Sequence, residues 1–134
     1  MTNFTLHPRL AADTIFVKDL ALCRVLAMND ARYSWAVLVP RRAGATEIFD
    51  LSATDRALLI GEAARAAEGL KRIARADKIN VAALGNLVPQ LHVHVVARRI
   101  GDAAWPGPVW GQGSAVPYRP DVLDGLIMAL AAAL

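Results

Sequence analysis

The sequence predicts an α+β domain built on an antiparallel sheet of about five strands, with one long helix and a C-terminal helix. Three observations predict it. Short runs rich in branched and aromatic residues crowd the first forty positions, an apolar stripe of helical period follows over residues 53–76, and two alternating segments come after that. A chain of 134 residues with 55% apolar and 20% charged residues has the length and balance of a single packed domain, which excludes general disorder. Residues 1–134 therefore read as one unit, with 14–107 as its core and 108–134 as a C-terminal extension and helix.

The strand candidates are Thr14–Lys18, Leu22–Met28 and Ser34–Val39, separated by polar turns at Asp19 and at Asn29-Asp30-Ala31-Arg32. Consecutive short strands with tight links make an antiparallel meander, and Pro40 ends the third because it has no N–H for the ladder. Ser52-Ala53-Thr54-Asp55 resembles a capping box and opens a helix to about Ala76. Within it Leu59, Ala63, Ala66, Ala67, Leu70, Ile73 and Ala74 form the buried stripe, and Glu62, Arg65, Glu68, Arg72 and Arg75 form a solvated face with Glu68 and Arg72 as an i,i+4 pair.

Lys78–Leu84 and Leu91–Arg98 alternate as strands, with Gly85-Asn86 as the turn of a hairpin between them. The Gly- and Pro-rich stretch after Arg99 cannot be regular and must drape over the surface. A last helix starts near Pro120 and sets Val122, Leu123, Leu126, Ile127 and Leu130 on one side.

Charge and composition narrow the function. The net charge is +3, with basic residues scattered rather than gathered into a face, which fits small anionic ligands better than a nucleic-acid duplex. Cys23 is alone and lies in an apolar run, so no internal disulfide is possible and a reducing, cytoplasmic setting is expected. Neither a leader-like start nor an apolar run long enough to span a bilayer is visible, so no membrane partner is expected.

The chemistry concentrates in Gln90-Leu91-His92-Val93-His94-Val95-Val96, which holds two of the three histidines. On a strand, Gln90, His92 and His94 share one face while Leu91, Val93 and Val95 face the core. Two strand residues separate the imidazoles by about 6.5 Å, room for a phosphate between them. One ring can present a nitrogen to phosphorus, since imidazole is largely neutral near neutral pH, while the other hydrogen-bonds a phosphate oxygen or the departing group. Two other readings are open: ordinary polar residues on a half-exposed sheet, or a zinc or iron site that would need a third ligand, with His7 far off in sequence.

These residues resemble the His-φ-His-φ-His-φ-φ motif (φ apolar) of the histidine triad, or HIT, superfamily. The likeness extends to Leu26–Asp30 with Ala36–Arg42, to Asn80 and Gly85–Pro89, and to Trp105-Pro106-Gly107, together about 90 residues from Thr14 to Gly107. It implies a HIT-like fold, usually a homodimer, that hydrolyses or transfers nucleoside monophosphate groups through a nucleotidyl-histidine at the α-phosphorus. His92 matches the nucleophile and His94 the last triad position, a phosphate contact. Gln90 and Asn86 complete the expected catalytic set. Asp30 matches a ribose-binding residue, Met28 and Asn29 flank the base site, and Asn80 and Trp105 match further substrate-side positions. The ligand implied is a nucleotide such as a diadenosine polyphosphate or a phosphoramidate, and no metal or cofactor enters the expectation. The sequence departs from the pattern at Gln90 in place of the first His, at Asn86 in place of Gln, and at Leu87 in place of Ser or Thr. Gln90 and Leu87 motivate a second reading, a nucleotide-binding module with weak or lost catalysis.

Overall fold

The computed structural model describes residues 3–134. Its elements in chain order are α1 (Pro8–Asp13), β1 (Thr14–Asp19), β2 (Cys23–Met28), β3 (Ser34–Pro40), a one-turn 3₁₀ helix (Ile48–Asp50), α2 (Ala53–Ala74), β4 (Lys78–Ala82), β5 (Val93–Arg98) and α3 (Pro120–Ala133). The expected α+β class is observed, a five-stranded antiparallel sheet in the order β1-β2-β3-β5-β4 with helices beside it. Strand β5 lies between β3 and β4, with Val37 opposite His94 on one side and Ala82 opposite His94 on the other. That interior place covers both edges of the strand with hydrogen bonds and holds its register firmly.

Period-2 alternation gives each strand two faces with different partners. Cys23, Val25, Ala27, Ala36, Leu38, Val93, Val95 and Ala97 join Leu59, Ala63, Ala66 and Leu70 of α2 and Leu123 and Leu130 of α3 in one core. Each fully buried Leu or Val there contributes about 1.5–3 kcal/mol. The opposite face carries Leu26, Trp35, Val37, Val39 and Val96, covered by Leu10, Val88 and Val109. Helices α2 and α3 meet where Gly69 leaves room: a Cβ there would stand 3.0 Å from the Cβ of Ala133.

Several elements depart from expectation for identifiable reasons. Helix α1 and the 3₁₀ turn add to the two helices predicted; α1 is only six residues long, with Pro8 in its first turn and His7 Nδ1 accepting from the Arg9 amide. Strand β3 ends at Pro40 as expected, with that proline still paired opposite Cys23. The Ser52 cap forms, with Oγ accepting from Asp55 N, but the Asp55 carboxylate turns outward to Arg42 at 2.7 Å instead of completing a box.

Glu62, assigned to the solvated face, is 3% exposed and accepts the amides of Leu22 and Cys23 at 2.9 and 2.8 Å. Those amides precede or begin β2, so the carboxylate caps a strand end that no backbone partner reaches. Among the described residues Glu68 and Arg72 form no ion pair, and Val122 is 50% exposed rather than part of the buried side of α3. Strands β4 and β5 are paired as a hairpin would be, yet residues 83–92 intervene, and Leu91 and His92 precede the strand rather than lying in it. The irregular stretch after Arg99 does not merely drape, because Val109 is 3% exposed and packs on the second core.

Candidate functional site

Alternation along β5 sets His94 on the face of Val96 and Trp35, and His92 joins it from the residue just before the strand. The two rings are 4.8 Å apart between centroids and inclined at 73°, and both residues are 6% exposed. They line a cleft of about 770 Å³, within the usual range for small-molecule sites. Its walls come from α1 (Leu10, Asp13), the β2–β3 turn (Met28, Asn29, Asp30), the β4–β5 connection (Gly85 to Val88) and residues 109–113.

Hydrogen bonds fix a different tautomer for each ring. The His92 Nδ1 lies 2.7 Å from the backbone carbonyl of Gln90, an acceptor only, so Nδ1 carries the proton and Nε2 keeps its lone pair. The Trp35 indole N–H donates to His94 Nδ1 at 3.0 Å, which leaves Nε2 of His94 as the N–H donor. Burial, followed by repulsion from His92, pushes the His94 pKa down to about 4. In the neutral tautomers that these bonds select, an acceptor nitrogen of His92 and a donor nitrogen of His94 stand side by side.

Trp35 and Trp110 close around His94 with ring centroids at 5.5 and 5.2 Å, and they meet each other edge-on at 6.0 Å. Neither tryptophan was singled out from sequence. Trp35 shares the alternation of Val37 and Val39 and could have been placed opposite the motif once β3 was paired with β5; Trp110, inside an irregular Gly- and Pro-rich stretch, carries no periodic signal.

Among the substrate-side candidates, Met28, Asn29 and Asp30 reach the cleft together with Asn86. Asp30 is 1% exposed and already occupied: its Oδ1 accepts from the Arg32 amide, Arg32 Nε and the Val116 amide, and its Oδ2 from Arg32 Nη2 at 2.9 Å. Burial raises its pKa, but hydrogen bonds from the Arg32 side chain and backbone and from the Val116 amide outweigh it and hold the carboxyl below its ordinary value. Asn29 Oδ1 accepts the Tyr118 amide at 2.9 Å, so the β2–β3 turn straps residues 112–118 along the cleft rim. Arg32 Nη1 also donates to the Gln112 carbonyl at 2.6 Å, and a Cβ at Gly113, whose φ is 63°, would crowd that guanidinium at 3.2 Å.

Three expected residues lie elsewhere. Asn80 and Trp105 are gathered around Arg98, which is 2% exposed: Asn80 Oδ1 accepts its Nη1 at 2.8 Å, Asp102 pairs with it, and the Trp105 ring lies 5.6 Å from the guanidinium carbon. Hydrogen bonding to Arg98 brings the Asp102 pKa down to about 2. The side chain of Gln90 turns to the N-terminal segment, with Oε1 accepting the His7 amide at 2.8 Å and Nε2 donating to the Thr5 carbonyl at 2.9 Å. Among the described residues no group of three or more His, Cys, Asp or Glu is placed to hold a metal ion. No described helix is long and apolar enough to cross a membrane.

Comparison with known proteins shows the family and the fold. The model of the HIT domain family matches residues 9–101. A histidine triad protein of Bradyrhizobium japonicum is 49% identical, with a TM-score of 0.96 over 98% of this chain and 98% of that one. A histidine triad (HIT) protein of Sinorhizobium meliloti 1021 is 47% identical, with a TM-score of 0.96 over 98% and 97% of the two chains. A third, from Marinobacter aquaeolei VT8, is 45% identical with a TM-score of 0.96 over 99% and 97%. No curated protein matches the chain.

Proposed function

The chain belongs to the HIT domain family, and from that membership together with the paired tautomers in its cleft we propose that it is a nucleotide hydrolase or nucleotidyl transferase using His92 as nucleophile. The observation that carries this reading is the bond from His92 Nδ1 to the Gln90 carbonyl. In the neutral ring it puts the lone pair on Nε2, so the ring needs no separate base to attack phosphorus.

In the first step His92 Nε2 forms a bond to the α-phosphorus, and the bond from phosphorus to the leaving oxygen or nitrogen breaks. The leaving group takes up a proton from solvent, and the water that attacks in the second step returns one. Water then adds to phosphorus as the P–N bond to His92 breaks, releasing the nucleoside monophosphate and the free imidazole; a transferase replaces water with another acceptor. Nε2–H of His94 donates to a non-bridging oxygen, where negative charge grows in the transition state. With its pKa near 4, His94 gives that hydrogen bond as a neutral group. Amides of the Gly85 turn and the exposed Asn86 line the same cleft and supply further donors.

The test is steady-state hydrolysis of adenosine phosphoramidate and of diadenosine polyphosphates by the wild type and by His92→Asn. Turnover that falls by about a thousandfold or more in the variant supports the reading. Retained turnover overturns it, and tight nucleotide binding by calorimetry with no product from the wild type favours the binding-module reading that Leu87 motivates.

A further inference from the structure

Gln90 stands where the triad pattern has its first histidine, and its side chain does not enter the cleft. It is spent on two bonds to a segment more than eighty residues away: Oε1 accepts the His7 amide at 2.8 Å, and Nε2 donates to the Thr5 carbonyl at 2.9 Å. The backbone of the same residue does something different. Its carbonyl takes the His92 Nδ1 proton at 2.7 Å, and the N–H of that same peptide unit, on Leu91, donates to the Ala45 carbonyl at 3.0 Å. The peptide plane that sets the His92 tautomer is therefore held through its N–H and through the side chain of the residue that owns its carbonyl.

We infer that Gln90 is a positioning residue, which clamps the N-terminal segment at Thr5 and His7 so that its own carbonyl fixes His92 in the Nδ1–H tautomer. The inference rests on the proposed role of His92 as nucleophile. An amide suits the position because it offers a donor and an acceptor on one carbon, matched to a C=O and an N–H of one extended stretch of chain. Rotation of the 90–91 peptide would let the imidazole proton exchange onto Nε2, and that tautomer has no lone pair to offer phosphorus. The clamp also ties the site to α1, because His7 is the N-cap of that helix and Leu10 and Asp13 line the cleft.

The clamp can be opened from either end. Gln90→Ala removes both side-chain bonds. His7→Pro removes the backbone donor together with the imidazole cap on Arg9, and the φ of −55° and ψ of 134° at His7 accommodate a proline. His7→Ala separates out the loss of the imidazole cap. The primary readout is the pair of imidazole ¹⁵N shifts of His92, which reports the tautomer without any turnover; kcat and KM on adenosine phosphoramidate form the second. In the wild type His92 is expected as the Nδ1–H form. Both Gln90→Ala and His7→Pro shift it toward Nε2–H and lower kcat by about tenfold with KM changed less than twofold, and the double variant falls no further than either single one. His7→Ala leaves the His92 shifts in place. A lowered Tm with unchanged His92 shifts in both clamp variants would make the contacts merely structural and overturn the inference. Shifts that move as expected in a protein that turns over neither substrate support the clamp and overturn the proposed reaction.

Discussion

The indole of Trp35 donates to Nδ1 of His94 at 3.0 Å, and this one bond sets which nitrogen of the neutral His94 ring carries the proton. Protonating His94 would place an N–H at Nδ1 against the indole N–H, so the contact and the burial work in the same direction. His94 stays neutral down to about pH 4.

That depressed pKa predicts a pH dependence of stability. The unfolded chain binds a proton at His94 near pH 6.5, whereas the folded chain does so only near 4. Between those values the unfolded state carries more protons, so stability falls as pH drops from about 6.5 to 4 and levels off for this group below that. The loss is on the order of 3 kcal/mol. Trp35→Phe removes the indole donor, raises the His94 pKa and narrows the window; urea titrations at a series of pH values, with the His94 resonance followed by NMR, check both effects. An unchanged His94 pKa in the variant would show that the indole bond does not hold the tautomer.

Glu62 predicts a stability effect remote from the cleft. Glu62→Ala leaves the Leu22 and Cys23 amides buried without an acceptor, at about 1–3 kcal/mol each. Urea unfolding should show a lower midpoint with an unchanged m-value. A midpoint within experimental error of the wild type would mean that water reaches those amides.

The Asp30–Arg32 pair makes a prediction about the sugar. With the carboxylate 1% exposed and already accepting from Arg32 and Val116, a ribose hydroxyl cannot reach it without displacing the guanidinium. Discrimination between a ribonucleotide and its 2′-deoxy analogue is expected to stay below about tenfold in kcat/KM, less than a buried hydroxyl contact provides. In Arg32→Ala the strap loses its tie to Gln112, and amide hydrogen exchange over residues 112–116 should speed up. Strong ribose preference in the wild type would show that Arg32 moves aside on binding.

Much of this was legible in the chain because it obeys local periodicity. The 3.6-residue stripe of α2 and the alternation of β2, β3 and β5 are set by which side chains must leave water, and the same alternation put His92 and His94 on one face. What escaped was non-local. Glu62 sits one turn from solvated residues and is indistinguishable from them until the start of β2 is seen to need acceptors. Strand alternation carried to Gln90, three residues before β5 begins, sets it on the face of His92 and His94; the chain is irregular there, and its side chain answers to Thr5 and His7 instead. Asn80 and Trp105 answer to Arg98, a buried cation whose need for partners no spacing reveals. Trp110 reaches His94 from an irregular segment, where sequence gives no direction to a side chain.

The central claim is that the unprotonated Nε2 of His92 attacks phosphorus. Intact-protein mass spectrometry of a reaction with adenosine phosphoramidate, quenched within the first turnover, addresses it most directly. A mass increase of one adenylyl group, localised by peptide mapping to His92 and absent in His92→Asn, is the predicted result. Product formation in the wild type with no adduct at any quench time, or an adduct that persists in His92→Asn, would contradict it.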